Sequence, residues 1–281
     1  MEKALELAKV LIEALPYIQR FRGKMFVVKL GGRIFENQPL LEDCARDIVL
    51  LKTVGMEPVV VHGGGPQLDR MLDRLGVEVK KVNGLRVTDE KTMEVVEMVL
   101  AGQLNREMVM RLNLVGGKAV GLAGKDGMMI IASAAEDGKL GAVGQIESID
   151  TSLILGLAKS GVIPVIAPIG VDMEGKIYNI NADVAAGAFA AELRAEKLIL
   201  LTDVDGVKDA QGNFLSSLHA GEASKLIKTG AISGGMIPKV NCCLEALKAG
   251  VGKAHIVDGR VPHSLLIELL TDKGLGTEIY L

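Results

Sequence analysis

Residues 59–72, VVVHGGGPQLDRML, hold three consecutive glycines between a β-branched run and a helical pattern. Glycine permits positive φ and lets other groups approach the main chain closely. Pro66 is a favoured first residue of a helix, and such a helix would direct unpaired N–H groups back toward the glycines. The stretch therefore predicts a strand, a bare turn and a helix whose beginning suits an anion; a tight turn without a ligand is the alternative.

The same alternation of short apolar runs and helical patterns continues along the chain. Strands that are apolar on both faces are typical of a parallel sheet covered by helices above and below. We therefore predict an α/β fold around a mainly parallel sheet. The predicted strands are 25–30, 58–62, 118–124, 128–132, 162–168, 197–203 and 254–259. The predicted helices lie near 40–54, 66–75, 89–114, 151–160, 181–195, 221–229 and 237–249.

Composition excludes several classes of partner. The chain has 281 residues and a formal net charge of −3, so it offers no basic field for nucleic acid. The longest uncharged apolar stretch, residues 160–171, is too short to span a membrane. Charges near the N-terminus interrupt any signal-peptide core. Such a length allows one large unit or two lobes, with a junction near 193–197.

Cysteine usage indicates a reducing compartment. The three cysteines show no C-x-x-C spacing, and adjacent cysteines seldom form a metal site or a disulfide framework. We therefore interpret Cys44, Cys242 and Cys243 as reduced packing residues of a cytoplasmic protein.

The first fifteen residues form an amphipathic helical pattern outside the strand–helix alternation. Pro16 follows the pattern. An apolar stripe must be buried on something, so we expect it to pack on its own domain or on another subunit. The stripe consists of Leu5, Ala8, Leu11, Ile12 and Leu15.

Two glycine-rich turns are predicted to face one crevice. The first strand ends VVKLGGR, which places Lys29 near its carboxyl end and Gly31 and Gly32 at the turn. In open α/β sheets, ligands bind beyond the carboxyl ends of the strands, where a lysine could neutralise phosphate oxygens. The chain contains neither G-x-x-x-x-G-K-[ST] nor G-x-G-x-x-G, so P-loop and Rossmann sites are not supported.

Four further segments hold candidate polar groups. NGLRVTD (83–89) places Arg86 in an ordered loop, where its guanidinium could grip a carboxylate. In YNINADVAA (178–186), Asn181 is a predicted N-cap and Asp183 suits the first helical turn, whereas Asn179 has no such structural explanation. In ISGGMIPKV (232–240), Lys239 lies at the start of a helix. Its positive charge is unfavourable near the positive end of the helix dipole unless an anion lies between the ammonium group and the helix. LLTDVDGV (200–207) adds an acidic turn after a strand.

Together these strings resemble the amino acid kinase family, in the branch that phosphorylates N-acetyl-L-glutamate. The resemblance spans residues 25–279 in order. It implies a three-layer αβα sandwich with a central, mainly parallel open sheet. It also implies three regions: an N-terminal helix for oligomerisation (1–20), a lobe that binds acetylglutamate (21–195) and a lobe that binds ATP (196–281). The matching segments are VVKLGG, VVVHGGGP, NGLRVTD, GLAGKDG, YNINADVAA, KLILLTDVDGV, GGMIPKV and GTEI.

The resemblance also implies a reaction and a set of roles. ATP would phosphorylate the γ-carboxylate of N-acetylglutamate to an acyl phosphate, an early step of arginine synthesis, with Mg²⁺ held by phosphate oxygens and water. Lys29 and Lys239 would flank the transferred phosphoryl group, and Asp183 would hold both ammonium groups. Substrate contacts would come from Gly64, Gly65, Arg86 and Asn179, and nucleotide contacts from Gly31, Gly32, Asp203, Lys208, Gly235 and Met236. The family usually has a small residue where this chain has Arg33.

The N-terminal helix resembles the branch of the family that arginine inhibits, in which such helices interlace homodimers into a hexameric ring. The positions that match its arginine site are Lys197, His255, Glu268, Gly274 and Gly276. The sequence gives no indication about a PII-type signalling protein as a further partner. Three functional alternatives remain. The first is a kinase for a related N-blocked acidic amino acid such as α-aminoadipate, and the second is an arginine-sensing protein without chemistry. The third, an amino acid kinase for uridylate or aspartate, is disfavoured because the segments GLRVTD and NINAD would be misplaced in it.

Overall fold

The computed structural model describes residues 1–82 and 85–281. Asn83 and Gly84, the first two residues of the NGLRVTD segment, lie outside the described residues. The strands are β1 (Met25–Leu30), β2 (Glu57–His62), β3 (Lys81–Val82), β4 (Leu85–Arg86), β5 (Ala119–Ala123), β6 (Ile130–Ala134), β7 (Gly144–Ile149), β8 (Ile163–Ala167), β9 (Ile169–Val171), β10 (Ile177–Asn179), β11 (Lys197–Thr202), β12 (Ser217–His219), β13 (Lys253–Asp258) and β14 (Thr277–Tyr280). The α-helices are α1 (Glu2–Phe21), α2 (Gln38–Thr53), α3 (Gly65–Arg74), α4 (Glu90–Glu97), α5 (Asn105–Leu114), α6 (Ser152–Lys159), α7 (Ala182–Glu192), α8 (Ala220–Lys228), α9 (Met236–Lys248) and α10 (Ser264–Leu270).

One eight-stranded sheet runs through the molecule in the order β12-β14-β13-β11-β1-β2-β8-β5. Every pairing in it is parallel except that of β13 with β14. A four-stranded sheet, β10-β9-β6-β7, and the hairpin β3-β4 lie beside it. The predicted mainly parallel sheet is confirmed, and β1 is a central strand that pairs with β2 and β11.

Alternation along β1 divides the core into two halves. Phe26, Val28 and Leu30 pack in the half formed with α2, α5 and α10, whereas Val27 packs in the half formed with α7 and α9. Because successive side chains of a strand point to opposite faces, Lys29 points to the same face as Val27. The predicted helical layers above and below the sheet are therefore present, and Lys29 faces α7 and α9.

Three predicted elements differ from the observed ones. The helical pattern of the first fifteen residues belongs to a longer helix that continues past Pro16 to Phe21, whose ring is buried and packs edge-on against Phe26 with centroids 5.4 Å apart. This packing holds the last turn together although proline removes one helical hydrogen bond. The strand predicted at 128–132 begins at Ile130, because Met128 has a positive φ of 53° and turns the chain.

The third difference lies in the helix predicted near 89–114. A π-helical segment, Met98–Leu104, separates α4 from α5 within it. Such wider turns shift the side chains that follow relative to a regular helix. Leu100 and Leu104 of this segment pack under Gly64.

Several elements were not predicted because their sequences are short. They include the helix α10 and the strands β7, β9, β10, β12 and β14, and most of these strands are three to five residues long. Short strands without strict alternation give little periodic signal. The three cysteines are free and buried, as the sequence analysis predicted.

Candidate active site

Asp183 lies at the beginning of α7, where Asn181 caps the helix. The side-chain oxygen of Asn181 accepts hydrogen bonds from the backbone N–H groups of Asp183 (2.9 Å) and Val184 (3.2 Å). This confirms the predicted N-cap. The cap fixes the first turn, and the Asp183 carboxylate points into the space between α7, β1 and α9, where it is buried.

Two lysines from distant parts of the chain meet this carboxylate. Lys29 Nζ lies 2.8 Å from Asp183 Oδ1, and Lys239 Nζ donates to Asp183 Oδ2 at 2.9 Å. Lys29 reaches it from the carboxyl end of β1, and Lys239 from the first turns of α9. Helix α9 begins at Met236, two residues before Pro238. Proline lacks an N–H group, but N–H groups in the first turn of a helix have no acceptor within the helix, so no hydrogen bond is lost.

The charges of this triad follow from its surroundings. Burial alone would raise the pKa of the Asp183 carboxyl, but the ammonium groups of Lys29 and Lys239 outweigh burial and hold that pKa at about 2. The carboxylate therefore stays ionised at any physiological pH. One negative charge faces two positive charges, so the triad carries an excess positive charge that suits an anion.

A cleft of about 800 Å³ opens beside the triad and is lined by Lys29 and Lys239. Gly31 and Gly32 line it from the turn after β1, and Asp203 lines it from the turn after β11. The carboxyl ends of β1 and β11 are adjacent in the sheet, since the two strands pair in parallel. The cleft is thus the crevice that the strand order predicts.

The two glycine-rich turns, which the sequence analysis predicted to face one crevice, are in contact with each other. A Cβ on Gly32 would lie 2.9 Å from Pro66 Cδ and 3.1 Å from Gly64 Cα, so a side chain at Gly32 would separate the turns. Gly64 is itself enclosed by Leu100 and Leu104. Gly65 begins α3 and has open space at its Cβ position. Bare backbone and the beginning of a helix therefore meet at one edge of the cleft.

Arg86 is buried and tied to the helix that follows the glycine triplet. Its guanidinium forms an ion pair with Asp69 of α3 and donates from Nη2 to the Gly65 carbonyl at 3.3 Å. Arg86 was expected in an ordered loop; it lies instead in the two-residue strand β4, which pairs with β3. A fixed guanidinium beside Gly65 has the geometry to meet a carboxylate there.

Asn179 has a structural partner that the sequence did not reveal. Its Nδ2 donates to Thr88 Oγ1 at 3.2 Å, and its backbone N–H donates to the Ala142 carbonyl at 2.8 Å. The first bond attaches β10 to the segment that follows Arg86, and the second attaches it to the segment just before β7. The expectation that Asn179 lacks a structural explanation was wrong; its expected contact with a substrate stays a prediction.

A second cavity of about 680 Å³ adjoins the cleft and is lined by Asp203, Lys208 and Met236. Gly235 is the N-cap of α9, next to this lining. Lys208 is exposed, and its Nζ donates to Asp205 Oδ2 at 3.3 Å. The predicted nucleotide residues therefore border two connected spaces, which share Asp203 and Arg260 in their linings.

Two arginines border the mouth of the cleft. Arg33, the unusual residue after the first glycine pair, lies with Nη1 3.1 Å from Asp203 Oδ2. Arg260 follows β13 and was missed by the sequence analysis. The sequence feature that could have indicated Arg260 is the segment VDGR, in which the arginine follows a strand. Because β13 pairs with β11 in parallel, that strand ends at the same edge of the sheet as Asp203.

A third cavity, of about 1020 Å³, lies away from the cleft near the end of α1. All five residues that match an arginine site line it: Lys197, His255, Glu268, Gly274 and Gly276. Tyr17, Arg20 and Phe21 of α1 contribute to the same lining. The chain thus has a polar cavity that joins the N-terminal helix to the far half of the sheet.

A buried acid–histidine pair forms the floor of this cavity. His255 Nδ1 lies 2.6 Å from Glu268 Oε1, and the backbone N–H groups of Leu275 and Gly276 donate to Glu268 Oε2 at 2.7 and 2.9 Å. Burial would raise the pKa of Glu268, but His255 and these N–H groups hold it at about 2. Within the described chain, His255 Nε2 is buried without a hydrogen-bond partner.

Two features are absent from the described part of the chain. Among residues 1–82 and 85–281, no helix is long and apolar enough to cross a membrane. In the same part of the chain, no group of three His, Cys, Asp or Glu side chains is arranged to hold a metal ion.

Residues 24–258 match the amino acid kinase family. The chain is 53% identical over 290 residues to the acetylglutamate kinase of Geotalea daltonii, with 99% of each chain covered. It is 54% identical over 283 residues to the acetylglutamate kinase of Acinetobacter baumannii, covering 97% of this chain and 94% of that protein. The family expected from the sequence is confirmed by these matches.

Solved structures share the fold. N-acetylglutamate synthase from Neisseria gonorrhoeae, complexed with coenzyme A and N-acetyl-glutamate, superposes with a TM-score of 0.88 at 30% identity, covering 98% of this chain and 63% of that one. The same protein with coenzyme A and L-arginine gives 0.84, covering 97% and 65%. Carbamate kinase from Giardia lamblia bound to AMP-PNP is 18% identical with a TM-score of 0.68 over 92% of this chain and 98% of that one, a likeness of fold alone.

Proposed function

The chain belongs to the amino acid kinase family, and we infer that it is a kinase that phosphorylates the γ-carboxylate of N-acetyl-L-glutamate with ATP, a step of arginine biosynthesis. Relatives more than half identical over nearly their whole length carry that activity in their names. The observation that carries the inference is the contact of Lys29 and Lys239 with the two oxygens of Asp183. This contact lies at the edge of a cleft lined by the first glycine-rich turn and by Pro66, which follows the glycine triplet.

The reaction is an in-line phosphoryl transfer. A γ-carboxylate oxygen forms a bond to the γ-phosphorus while the bond from that phosphorus to the β–γ bridging oxygen breaks, which yields an acyl phosphate and ADP. The nucleophile has a pKa near ~4.3 and is already ionised, so no general base is required. Negative charge on two approaching anions is the main obstacle, and electrostatic stabilisation is the main remedy.

We assign that stabilisation to the two lysines. Lys29 and Lys239 would flank the transferred phosphoryl group, each held in place by one oxygen of Asp183. An ammonium group fixed by a buried carboxylate loses little freedom when the phosphoryl group arrives, so its interaction is available in the transition state. Asp183 would therefore act as a positioning residue.

The two lobes would divide the substrates between them. In residues 21–195, the backbone of Gly64 and Gly65, the Arg86 guanidinium and Asn179 would bind acetylglutamate, with Arg86 on its α-carboxylate. In residues 196–281, Asp203, Lys208, Gly235 and Met236 would bind the nucleotide, whose phosphates would reach Gly31 and Gly32. Mg²⁺ would arrive with ATP, held by phosphate oxygens and water.

An acyl-phosphate assay tests this function. Hydroxylamine traps the acyl phosphate as a hydroxamate, so wild-type protein with MgATP and N-acetylglutamate should give product, while Asp183→Asn gives at least about 100-fold less. A panel with N-acetylaspartate and N-acetyl-α-aminoadipate separates the substrate from its shorter and longer homologues. Faster turnover of α-aminoadipate would reassign the substrate, and absence of product with every acid would leave a sensor without chemistry.

We further propose L-arginine as the ligand of the third cavity and as a feedback inhibitor. Glu268 and Glu278 offer carboxylates to a guanidinium or an α-ammonium group, and Lys197 and Lys253 offer cations to its carboxylate. His255 Nε2 lies 3.8 Å from Glu278 Oε2 and makes no hydrogen bond to the described residues, so it adds a polar group that a ligand could satisfy. Glu268→Gln should weaken inhibition by about tenfold or more, whereas Glu245→Gln on the exposed face of α9 should not change it. Equal inhibition of both variants would place arginine elsewhere.

The N-terminal helix supports a proposal about assembly. Its stripe is uncovered in the single chain: Leu5, Leu11, Ile12 and Leu15 are 42–70% exposed. We propose that α1 helices of different dimers cover one another in a hexamer. The three free cysteines support a cytoplasmic location for this assembly.

A further inference from the structure

The turn after β13 carries an arginine in a fixed orientation. Arg260 Nε and Nη2 donate to the two oxygens of Asp258, each at 2.8 Å, and Nη2 also donates to Asp205 Oδ1 at 2.8 Å. One edge of the planar guanidinium is thereby occupied. Its Nη1 has no partner among the residues that the structure describes. The second edge of the guanidinium is therefore left for another acceptor.

The position of Arg260 is as specific as its orientation. It lines both the cleft beside the lysine triad and the adjoining cavity, and among the described residues the two linings share only Arg260 and Asp203. A nucleotide with its γ-phosphate at the triad and its nucleoside in the adjoining cavity must pass this boundary with its α- and β-phosphates. A guanidinium at the boundary meets the diphosphate part of the molecule.

The negative charges near this boundary must be offset by cations if a polyphosphate is to bind there. Asp203, Asp205 and Asp258 bring three carboxylates to the edge that a polyphosphate must cross, and each would repel it. Arg33 lies 3.1 Å from Asp203, and Arg260 contacts the other two carboxylates. A lysine could neutralise one carboxylate, but the guanidinium binds a carboxylate with one edge and keeps N–H donors for a phosphate on the other.

We propose that Arg260 is a nucleotide-binding residue whose Nη1 donates to the α- or β-phosphate of the bound nucleotide. The proposal rests on the ATP-dependent function above and adds a residue to its nucleotide site. The competing interpretation is that Arg260 only closes the turn after β13 through its ion pair with Asp258. The two interpretations differ in which ligands they affect, because adenosine has no phosphate.

Calorimetric titration with ADP and with adenosine distinguishes them. Arg260→Ala should weaken ADP binding by about 10- to 100-fold and adenosine binding by less than about twofold. Arg260→Lys, which keeps the charge but not the fork, should still bind ADP about fivefold or more weakly. Arg46→Ala is the matched control, since Arg46 is 56% exposed against 54% for Arg260 and also contacts two carboxylates.

The outcomes separate this proposal from the proposed function. Unchanged ADP binding in both Arg260 variants, or equal weakening of ADP and adenosine, overturns the role of Arg260. If the wild type still forms the trapped acyl phosphate in that case, the kinase function is retained and only the role of Arg260 is rejected. If Arg260→Ala loses ADP selectively while the wild type forms no acyl phosphate, the nucleotide contact holds and the substrate assignment fails. Should Arg260→Ala not fold, the lysine variant decides.

Discussion

Lys29 and Lys239 contact different oxygens of one buried carboxylate, that of Asp183, at 2.8 and 2.9 Å. Lys29 comes from a central strand and Lys239 from a helix near the other end of the chain. The two ammonium groups can approach the same site because the negative charge of the carboxylate lies between them and offsets their repulsion. The same arrangement leaves an excess positive charge facing the cleft.

Removal of one ammonium group should act mainly on the chemical step. Lys29→Ala should lower kcat by about 10²–10³-fold with a much smaller change in the KM for ATP. The reason is that the interaction of the Lys29 ammonium group with the transferred phosphoryl group strengthens as negative charge develops in the transition state. Lys24→Ala, an exposed lysine just before β1, serves as the control. Steady-state kinetics decide: a large rise in KM at normal kcat would make Lys29 a ground-state binding residue.

Loss of Arg86 should act on substrate binding instead. Arg86→Ala should raise the KM for acetylglutamate by about 10- to 100-fold, the range expected for a charge-assisted hydrogen bond, and change the KM for ATP little. Arg70→Ala, on the same helix α3 as Asp69 but paired with Glu36 at the surface, is the control. An unchanged KM for acetylglutamate would remove Arg86 from the substrate site.

Two neighbouring glycines should differ sharply in their tolerance of a methyl group. In Gly64→Ala the new Cβ would lie 2.4 Å from Leu104 Cδ1 and 2.6 Å from Leu100 Cδ2, both in buried side chains. The overpacking should lower the free energy of unfolding by about 1–3 kcal/mol. Gly65→Ala has open space and should cost far less. Urea unfolding of both variants measures the difference, and equal stabilities would contradict the packing under Gly64.

The His263–Asp47 pair should make stability depend on pH. His263 Nδ1 lies 2.7 Å from Asp47 Oδ1, and this hydrogen bond raises the pKa of His263 above its ordinary value of 6.5. Burial raises the pKa of Asp47 to about 6, and Asp43 and Arg46 also face the histidine.

The sign of the effect follows from that raised pKa. Stabilisation by His263 is fully present below pH 6.5 and is lost as the pH rises through the folded-state value. His263→Gln should therefore lower Tm more at about pH 6 than at about pH 9. Thermal melts at both pH values test this, and equal shifts would show that the pair contributes no pH-dependent stability.

The uncovered stripe of α1 should control assembly. Deletion of residues 1–15 should convert the proposed hexamer into dimers, because the deletion removes the exposed apolar side chains and leaves Phe21 in the core. Mass measurement in solution by light scattering checks this result. Leu11→Asp and Ile12→Asp in the full chain should have the same effect, and a hexamer that survives both changes would refute the interlaced helices.

Local sequence was sufficient wherever a short pattern carries its own physical cause. Short runs that are apolar on both faces predicted the central strands. Asn181 and Asp89 were predictable as helix starts because a capping side chain bonds to its own neighbours. The amphipathic pattern of the first fifteen residues did not reveal what holds the helix together beyond Pro16, because the packing of Phe21 on Phe26 is a tertiary contact. The same holds for Asn179, whose partner Thr88 belongs to another segment.

By itself, the sequence determined the α/β alternation, the family and the two bare turns, all of which depend on neighbours along the chain. The tertiary structure alone decided that Lys29 and Lys239 meet at Asp183, that Arg33 and Arg260 border the same cleft, and that α1 adjoins a separate polar cavity. The physical reason is strand order: parallel pairing of β1, β11 and β13 brings their carboxyl ends to one edge, and this order is set by packing across the whole sheet.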